Sequence, residues 1–226
     1  MAKEIKNENA EAVVEAVSKT EQFFEKNGKL LISILAGAVV LCAAVFCWYK
    51  FVNQPKTVEA QGQMAYAEQN FRAADYEVAL NGDSATFKGF VALASEYSGT
   101  KAGNLANLYA GLCYAKLEKW QEAAQYIEKF DPQDDQMISP AAVGALGNVY
   151  VRLEQFDKAV ETLKKAAKMA DNNSLSPTYL IQAGEILEHQ GKKDEALKLY
   201  EEVKTKYINS MQYQTIDKYI ERAKVK

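Results

Sequence analysis

The sequence predicts an all-α protein with one N-terminal transmembrane helix, followed by a right-handed α-solenoid of about four helix pairs and a C-terminal capping helix. An uncharged apolar stretch runs from residue 30 to residue 49. Beyond residue 58, apolar residues recur at spacings of three and four, and the alternation typical of strands is rare. A pattern of small and bulky residues also returns at intervals of 36 and 37 residues, which indicates helical repeats.

Residues 1–29 form a polar tail with five lysines and six glutamates. Its segment AEAVVEAVSK places apolar residues at helical spacing. We expect the tail to form a fraying amphipathic helix at the membrane surface, or to order only when a partner binds it. It is longer and less basic than the n-region of a secretory signal.

Residues 30–52 are predicted to form a permanent transmembrane helix. Twenty uncharged residues would rise about 30 Å as a helix, which matches the hydrocarbon thickness of a bilayer. Trp48 and Tyr49 stand at the end of the run, where aromatic rings favour the headgroup layer. The run is longer than the apolar region of a secretory signal, so the sequence predicts an uncleaved anchor in the lipid bilayer.

Residues 53–57, NQPKT, are predicted to be a linker, because Pro55 is expected to end any continuous helix. The domain predicted at 58–226 has 20 Lys and Arg against 24 Asp and Glu. These charges are spread along the chain, so there is no basic footprint for nucleic acid. Its only cysteine is Cys113, which excludes a disulfide within the domain.

Three segments of this domain align without gaps. They are AGLCYAKLEKWQEAAQYIEKF (110–130), LGNVYVRLEQFDKAVETLKKA (146–166) and AGEILEHQGKKDEALKLYEEV (183–203). Two positions are shared by all three segments: a glycine (Gly111, Gly147 and Gly184) and an alanine (Ala123, Ala159 and Ala196). A third position carries a bulky aromatic residue in the first two segments, Trp120 and Phe156, and Lys193 in the third. These residues resemble the tetratricopeptide repeat, in which small residues let two paired helices approach and large ones fill the space between neighbouring pairs.

The resemblance implies repeats near 104–136, 140–172 and 177–209, with a diverged first pair near 58–100. We expect the helices of that first pair at 64–80 and 86–100, joined by the turn-like sequence NGDSAT. Apolar residues at helical spacing predict a capping helix within 210–226. Ser139 and Ser176, each followed by proline, are predicted N-caps of the third and fourth pairs.

The resemblance also implies that the first helix of each pair lines a concave groove that receives an extended segment or a helix of a partner protein. The groove positions carried over are Leu105, Leu108, Leu112 and Lys116, then Ala141, Asn148 and Arg152, and finally Ile181, Glu185, Glu188 and His189. The strip grades from an apolar to a partly acidic end. Two alternatives stay open: the leucines could belong to the core, and Arg152 and His189 could be plain surface residues.

No catalytic, cofactor-binding or metal-binding residues are predicted. The chain has one histidine, no glycine-rich phosphate loop, and no cluster with metal-ligand spacing. Ser98 and Lys101 match a serine–two–lysine pattern of some acyl enzymes, although no supporting motif accompanies them. A hydrolase that uses Ser98 is therefore kept as the alternative from a different class.

The layout as a whole is similar to the ancillary subunit of the bacterial Sec translocon (the YfgM type). The segments ALNGD, SGTKAGNLANLYAG and IDKYIERA resemble a tetratricopeptide protein of the Bacteroidetes group. This resemblance implies a scaffold at the translocon that helps a membrane-anchored periplasmic chaperone to receive secreted chains. The alternatives are an adaptor for outer-membrane assembly or division, or a membrane-tethered cytosolic adaptor; self-association into a homo-oligomer is left open.

The expected location is the bacterial inner membrane, with the N-terminus in the cytoplasm and the domain in the periplasm. Three lysines lie within twenty residues before the span and two within twenty residues after it. An excess of basic residues favours the cytoplasmic side.

Overall fold

The computed structural model describes residues 26–83 and 86–225. The chain divides into two compact units, Met1–Pro55 and Lys56–Lys226. Most of the predicted tail, including its expected amphipathic helix, lies outside the described residues. The predicted all-α fold class with a repeat domain is confirmed.

The first unit contains one long apolar helix, α1 (Lys26–Phe51). Its side chains are exposed rather than packed inside the protein, and it covers most of the predicted span. The helix is long and apolar enough to cross a membrane. At its end, residues Tyr49–Asn53 wind as a π-helix.

Residues 53–57 are helical, which differs from the linker that the sequence predicts. Helix α2 (Gln54–Arg72) begins directly after the π-helix, so Pro55 lies in its first turn. The proline ring removes one N–H donor and restricts φ, and a π-helical turn directly precedes α2. Pro55 therefore lies within helical backbone rather than in an extended linker.

The second unit is a row of helices in which each packs on the next from α4 onward. After α2, its elements are α3 (Tyr76–Asn81), β1 (Gly82–Asp83), β2 (Phe87–Lys88), α4 (Phe90–Glu96), α5 (Lys101–Lys116), α6 (Trp120–Ile127), α7 (Ile138–Arg152), α8 (Phe156–Ala170), α9 (Ser176–His189), α10 (Lys193–Lys206), a 3-10 turn (Met211–Gln214) and α11 (Ile216–Lys224). The last two elements lie within the predicted cap at 210–226.

The turn inside each pair has the same geometry four times. Its middle residue has a left-handed backbone, and these residues are Ala74, Glu118, Glu154 and Gly191, with φ of 63°, 58°, 57° and 77°. The backbone N–H of the residue that follows donates to the backbone carbonyl five positions earlier in the chain. The four bonds are Asp75–Asn70 (3.0 Å), Lys119–Tyr114 (2.9 Å), Gln155–Tyr150 (2.9 Å) and Lys192–Leu187 (2.8 Å). The helix pairs are therefore α2 with α3, α5 with α6, α7 with α8, and α9 with α10.

The first pair differs from the expected helices at 64–80 and 86–100. Its first helix ends at Arg72, and its second helix is split in two by a hairpin in which β1 and β2 pair antiparallel. A Cβ atom on Gly82 would lie 2.4 Å from the backbone nitrogen of Gly89, and one on Gly89 would lie 2.3 Å from that of Gly82. Both ends of the hairpin must be glycine because the two backbones touch. The turn-like sequence NGDSAT thus belongs to an insertion within a helix, not to a turn between two helices.

The aligned glycines allow the two helices of a pair to approach closely. A Cβ on Gly111 would lie 2.4 Å from Ile127 Cγ1, and one on Gly184 would lie 2.3 Å from Tyr200 Cε1. On Gly147 it would lie 2.7 Å from Leu163 Cγ. In each of these three pairs, a large side chain sixteen residues later occupies the space that the missing Cβ leaves.

The predicted N-caps Ser139 and Ser176 instead lie inside the first turns of α7 and α9, and both are fully buried. Asp135 caps α7, because its Oδ1 accepts from the N–H groups of Met137 (2.9 Å) and Ile138 (2.5 Å). Asn172 Oδ1 similarly accepts from the N–H of Leu175 at 2.9 Å. Ser139 Oγ accepts from the N–H of Gln133 in the preceding loop, whereas Ser176 Oγ donates to the carbonyl of Ala167 in α8. The capping side chains therefore stand four residues earlier than predicted.

Candidate functional site

The first helices of the third and fourth pairs, α7 and α9, form the walls of a cavity of about 680 Å³. The aromatic residues that open α6 and α8 complete it. Its lining residues are Trp120, Asn148, Val151, Arg152, Glu154, Phe156, Gln182, Glu185, Ile186 and His189. The cavity therefore combines an apolar floor with charged and amide side chains.

The structure brings together four of the predicted groove residues: Asn148, Arg152, Glu185 and His189 line this cavity, and all four side chains are exposed. They stand on the same side of α7 and α9, at intervals of 37 residues in the chain. Consecutive repeats therefore present equivalent positions to one space.

The other predicted groove residues lie elsewhere. Leu108 and Ile181 are buried, with 6% and 8% of their surface exposed, so they belong to the core rather than to a groove. Leu105 and Leu112 are half-buried against that core. The side chains of Lys116 and Ala141 are exposed but do not line the cavity. Glu188 is partly buried, and its Oε2 pairs with Arg222 Nε at 2.7 Å.

Two contacts between neighbouring pairs shape the cavity. The guanidinium of Arg152 lies 4.8 Å from the centroid of the Trp120 ring, a distance typical of a cation–π contact. The imidazole of His189 lies 5.3 Å from the ring centroid of Phe156. Arg152 and His189 occupy the same repeat position, and each contacts the aromatic residue that opens the second helix of the preceding pair.

The two glutamates of the cavity have few cationic side chains near them within the described ranges. Among the described residues, Glu154 makes no ion pair, and the nearest cation to Glu185 is Arg222, whose Nη2 lies 3.6 Å away. Beyond the cavity rim, Lys192 Nζ lies 2.9 Å from Asp157 Oδ1. That contact lowers the pKa of Asp157 and raises the pKa of Lys192.

Sequence reasoning missed six lining residues. The repeat pattern predicts that Trp120 and Phe156 fill the space between neighbouring pairs, and it predicts no role for Val151, Glu154, Gln182 and Ile186. A usable signal was present, because a cationic or imidazole residue comes 32 or 33 residues after each turn aromatic. That spacing joins Trp120 to Arg152 and Phe156 to His189 across neighbouring pairs.

A second cavity, also of about 680 Å³, lies at the loops that connect successive pairs. Ser98 and Lys101 line it, whereas the single histidine lines the first cavity. Within the described part of the chain, no base accepts a hydrogen bond from Ser98. Over those same residues, no group of three or more His, Cys, Asp and Glu is placed to hold a metal ion.

The cysteine of the domain is a core residue. Cys113 is fully buried on α5, and burial raises the pKa of its thiol to about 12. A thiol that keeps its proton is neither a nucleophile nor a metal ligand. Cys113 therefore contributes packing rather than chemistry.

A comparison with curated proteins finds none that matches the chain. The family described as "Tetratricopeptide repeat-like domain" matches residues 21–221, which is nearly the whole chain. Domains of this kind are protein-interaction scaffolds and are generally not enzymes, since their stacked repeats offer an extended binding surface. The chain belongs to the tetratricopeptide repeat-like domain family.

Proposed function

We propose that this protein is a non-enzymatic, membrane-anchored scaffold, and that it acts as an ancillary subunit at the Sec translocon. There it would assist the handover of secreted chains to a membrane-anchored periplasmic chaperone. The proposal places α1 in the bacterial inner membrane, the N-terminus in the cytoplasm and the repeat domain in the periplasm.

The cavity between α7 and α9 is the observation that carries this proposal. Asn148 and Arg152 on α7, and Glu185 and His189 on α9, offer exposed polar groups from two consecutive repeats. A binding surface made of repeated helix faces suits an extended segment, because such a segment can contact one repeat after another. We further propose that Leu112 and Lys116 on α5, which do not line this cavity, extend the binding surface towards the second pair, whereas Leu105 lines the second cavity.

The scaffold proposal is tested by crosslinking in living cells. A photoreactive phenylalanine analogue replaces Asn148 in the full chain, and the matched control replaces Lys164, an exposed residue of α8 that does not line the cavity. We expect adducts with translocon subunits and secreted chains from position 148 and few from position 164. Equal yields from both positions would contradict a cavity-based scaffold.

The identity of the crosslinked proteins separates the alternatives. Adducts with outer-membrane assembly or division proteins, and none with the translocon, would replace the translocon role by an adaptor role. Protease protection of a C-terminal tag tests the location independently. A tag that is cleaved once the outer membrane is opened supports a periplasmic domain, and a tag that survives until the inner membrane is lysed indicates a cytosolic adaptor.

A further inference from the structure

We propose that the cavity between α7 and α9 receives a lysine or arginine side chain of the bound polypeptide, between the carboxylates of Glu154 and Glu185. This inference rests on the proposed scaffold function and adds the chemistry of the segment that is bound. It is based on the charges, the aromatic rings and the size of the cavity.

The two carboxylates are available to a ligand. Glu154 makes no ion pair among the described residues, and its side chain is exposed. Glu185 lies 3.6 Å from Arg222 Nη2, whereas Glu188 lies 2.7 Å from Arg222 Nε. The arginine is therefore engaged mainly by Glu188, and Glu185 can accept a shorter, charge-assisted hydrogen bond from an incoming cation.

The charge balance of the cavity favours a basic ligand over an acidic one. The lining residues include two glutamates and one arginine, so the carboxylates outnumber the guanidinium by two to one. Arg152 is also already in contact with the Trp120 ring. An acidic side chain would be repelled by the two carboxylates, and the guanidinium that lines the cavity already contacts a ring. This repulsion would cost binding free energy.

The apolar floor suits the shape of a long basic side chain. Val151, Phe156 and Ile186 line the same cavity as the two carboxylates. Lysine and arginine bury their methylene stems against apolar surface while the charged end stays among polar groups. Aromatic rings add attraction for that charged end. A purely apolar side chain would fill the floor but leave both carboxylates without a partner.

The cavity is also larger than one side chain. Its volume of about 680 Å³ leaves room for the flanking backbone of an extended segment. The amides of Asn148 and Gln182 line its walls and can exchange hydrogen bonds with a peptide backbone. We therefore expect short extended peptides, and not only free lysine or arginine, to bind.

The fluorescence of Trp120 tests this inference. The chain has two tryptophans, so W48F leaves Trp120, inside the cavity, as the reporter in the full chain in detergent. The probes are mixtures of short blocked peptides with random uncharged flanks and a central lysine, arginine, norleucine or glutamate. We expect saturable changes with lysine and arginine, and binding weaker by about fivefold or more with norleucine and glutamate.

Matched variants test the two carboxylates. E154Q and E185Q should each weaken lysine-peptide binding by about fivefold, a modest value because the site is partly exposed. E201Q on α10, which removes an exposed carboxylate outside the cavity, should leave binding unchanged. Circular dichroism of each variant separates lost binding from lost folding.

Three results would overturn the inference. Norleucine or glutamate peptides that bind as tightly as lysine peptides would show a different ligand chemistry, with peptide binding retained. No response of Trp120 to any mixture, with crosslinks still formed from position 148 in cells, would refute the basic ligand and leave the scaffold function standing. Loss of both the response and the crosslinks would contradict the scaffold function as well.

Discussion

The first pair and the last pair of the domain share one turn but differ in the helix after that turn. In the last pair, α10 continues unbroken, and Tyr200 fills the space beneath Gly184. In the first pair, the hairpin interrupts the second helix. The residue sixteen positions after Ala67, the counterpart of Gly184, is Asp83 in the first hairpin strand, where its side chain is exposed.

This difference explains whether the first helix of a pair carries glycine or alanine where it meets the second helix. Where a large side chain reaches the first helix, as beneath Gly111, Gly147 and Gly184, a Cβ would overlap it. Where the hairpin diverts that position, the first helix carries Ala67, which is fully buried. The repeats thus share a filled interface rather than a particular residue, and the turn geometry survives the insertion.

The largest expected effect comes from removing the side chain that fills the interface. L163A should lower the free energy of unfolding by about 2–5 kcal/mol, because Leu163 is fully buried beneath Gly147. V91A, at a half-buried position of the first pair, should cost about 1 kcal/mol or less. Urea unfolding of the full chain in detergent, monitored by circular dichroism, measures both. Equal losses would mean that the first pair is packed as tightly as the third.

Adding a Cβ atom tests the close approach directly. G184A should destabilise the protein by about 1–3 kcal/mol, since the new atom would lie 2.3 Å from Tyr200 Cε1 and the ring must move. The matched control is G62A on α2, where a Cβ meets nothing within 4 Å. That change should stabilise the helix by up to about 1 kcal/mol. The same unfolding assay applies, and a stabilising G184A would refute the tight contact.

The N-terminal caps of α5 and α7 are expected to differ in how much stability they contribute, by a smaller amount that depends on pH. Thr100 caps α5 by accepting one N–H bond, from Gly103 at 3.1 Å, whereas Asp135 accepts several at the start of α7. The hydroxyl of Ser139 and the backbone N–H groups hold the pKa of Asp135 below its usual value. D135A should cost about 1 kcal/mol at neutral pH, and T100A should cost no more.

The lowered pKa of Asp135 sets the sign of the pH dependence. The stability that Asp135 contributes is present above its unfolded pKa of about 4 and is lost as the pH falls through the lower folded pKa. The difference in unfolding free energy between the wild type and D135A should therefore shrink in acid, while the T100A difference should not. A D135A difference that stays constant from neutral to acid pH would contradict the capping role.

The smallest expected effect comes from deleting the hairpin. Because the backbones at Gly82 and Gly89 touch, removal of residues 82–89 should let α3 run directly into α4. The deletion also brings Val91 to the position sixteen residues after Ala67. We expect the free energy of unfolding to change by about 1 kcal/mol or less, with helical content retained. Loss of the folded domain would mean that the hairpin itself supports the first pair.

The repeats could be predicted from the sequence more fully than the interruption of the first pair. The aligned glycines Gly111, Gly147 and Gly184 could be found from the sequence, because a close helix contact requires small residues at a fixed spacing. The split helix was missed, since NGDSAT has the same composition whether it joins two helices or interrupts one. The true counterpart of Trp120 and Phe156 in the first pair is Tyr76, which the hairpin made hard to align.

Predicting the groove was harder than predicting the repeats. Asn148, Arg152, Glu185 and His189 could be placed from the repeat position, and all four line one cavity. Leu108 and Ile181 are buried because the packing angle between helices, which spacing alone does not determine, turns them towards the core. Trp120 lines the cavity beside a residue of the next pair, Arg152, whose guanidinium lies over its ring.

The buried thiol of Cys113 gives the domain chemical inertness in an oxidising compartment. Because burial raises the pKa of this thiol to about 12, the thiol keeps its proton at neutral pH, and the thiolate is the form that attacks oxidants, alkylating reagents and disulfides. The folded domain could therefore pass a disulfide-forming machinery without acquiring a mixed disulfide. For the same reason, a cysteine introduced on its surface would react with a maleimide label far ahead of Cys113.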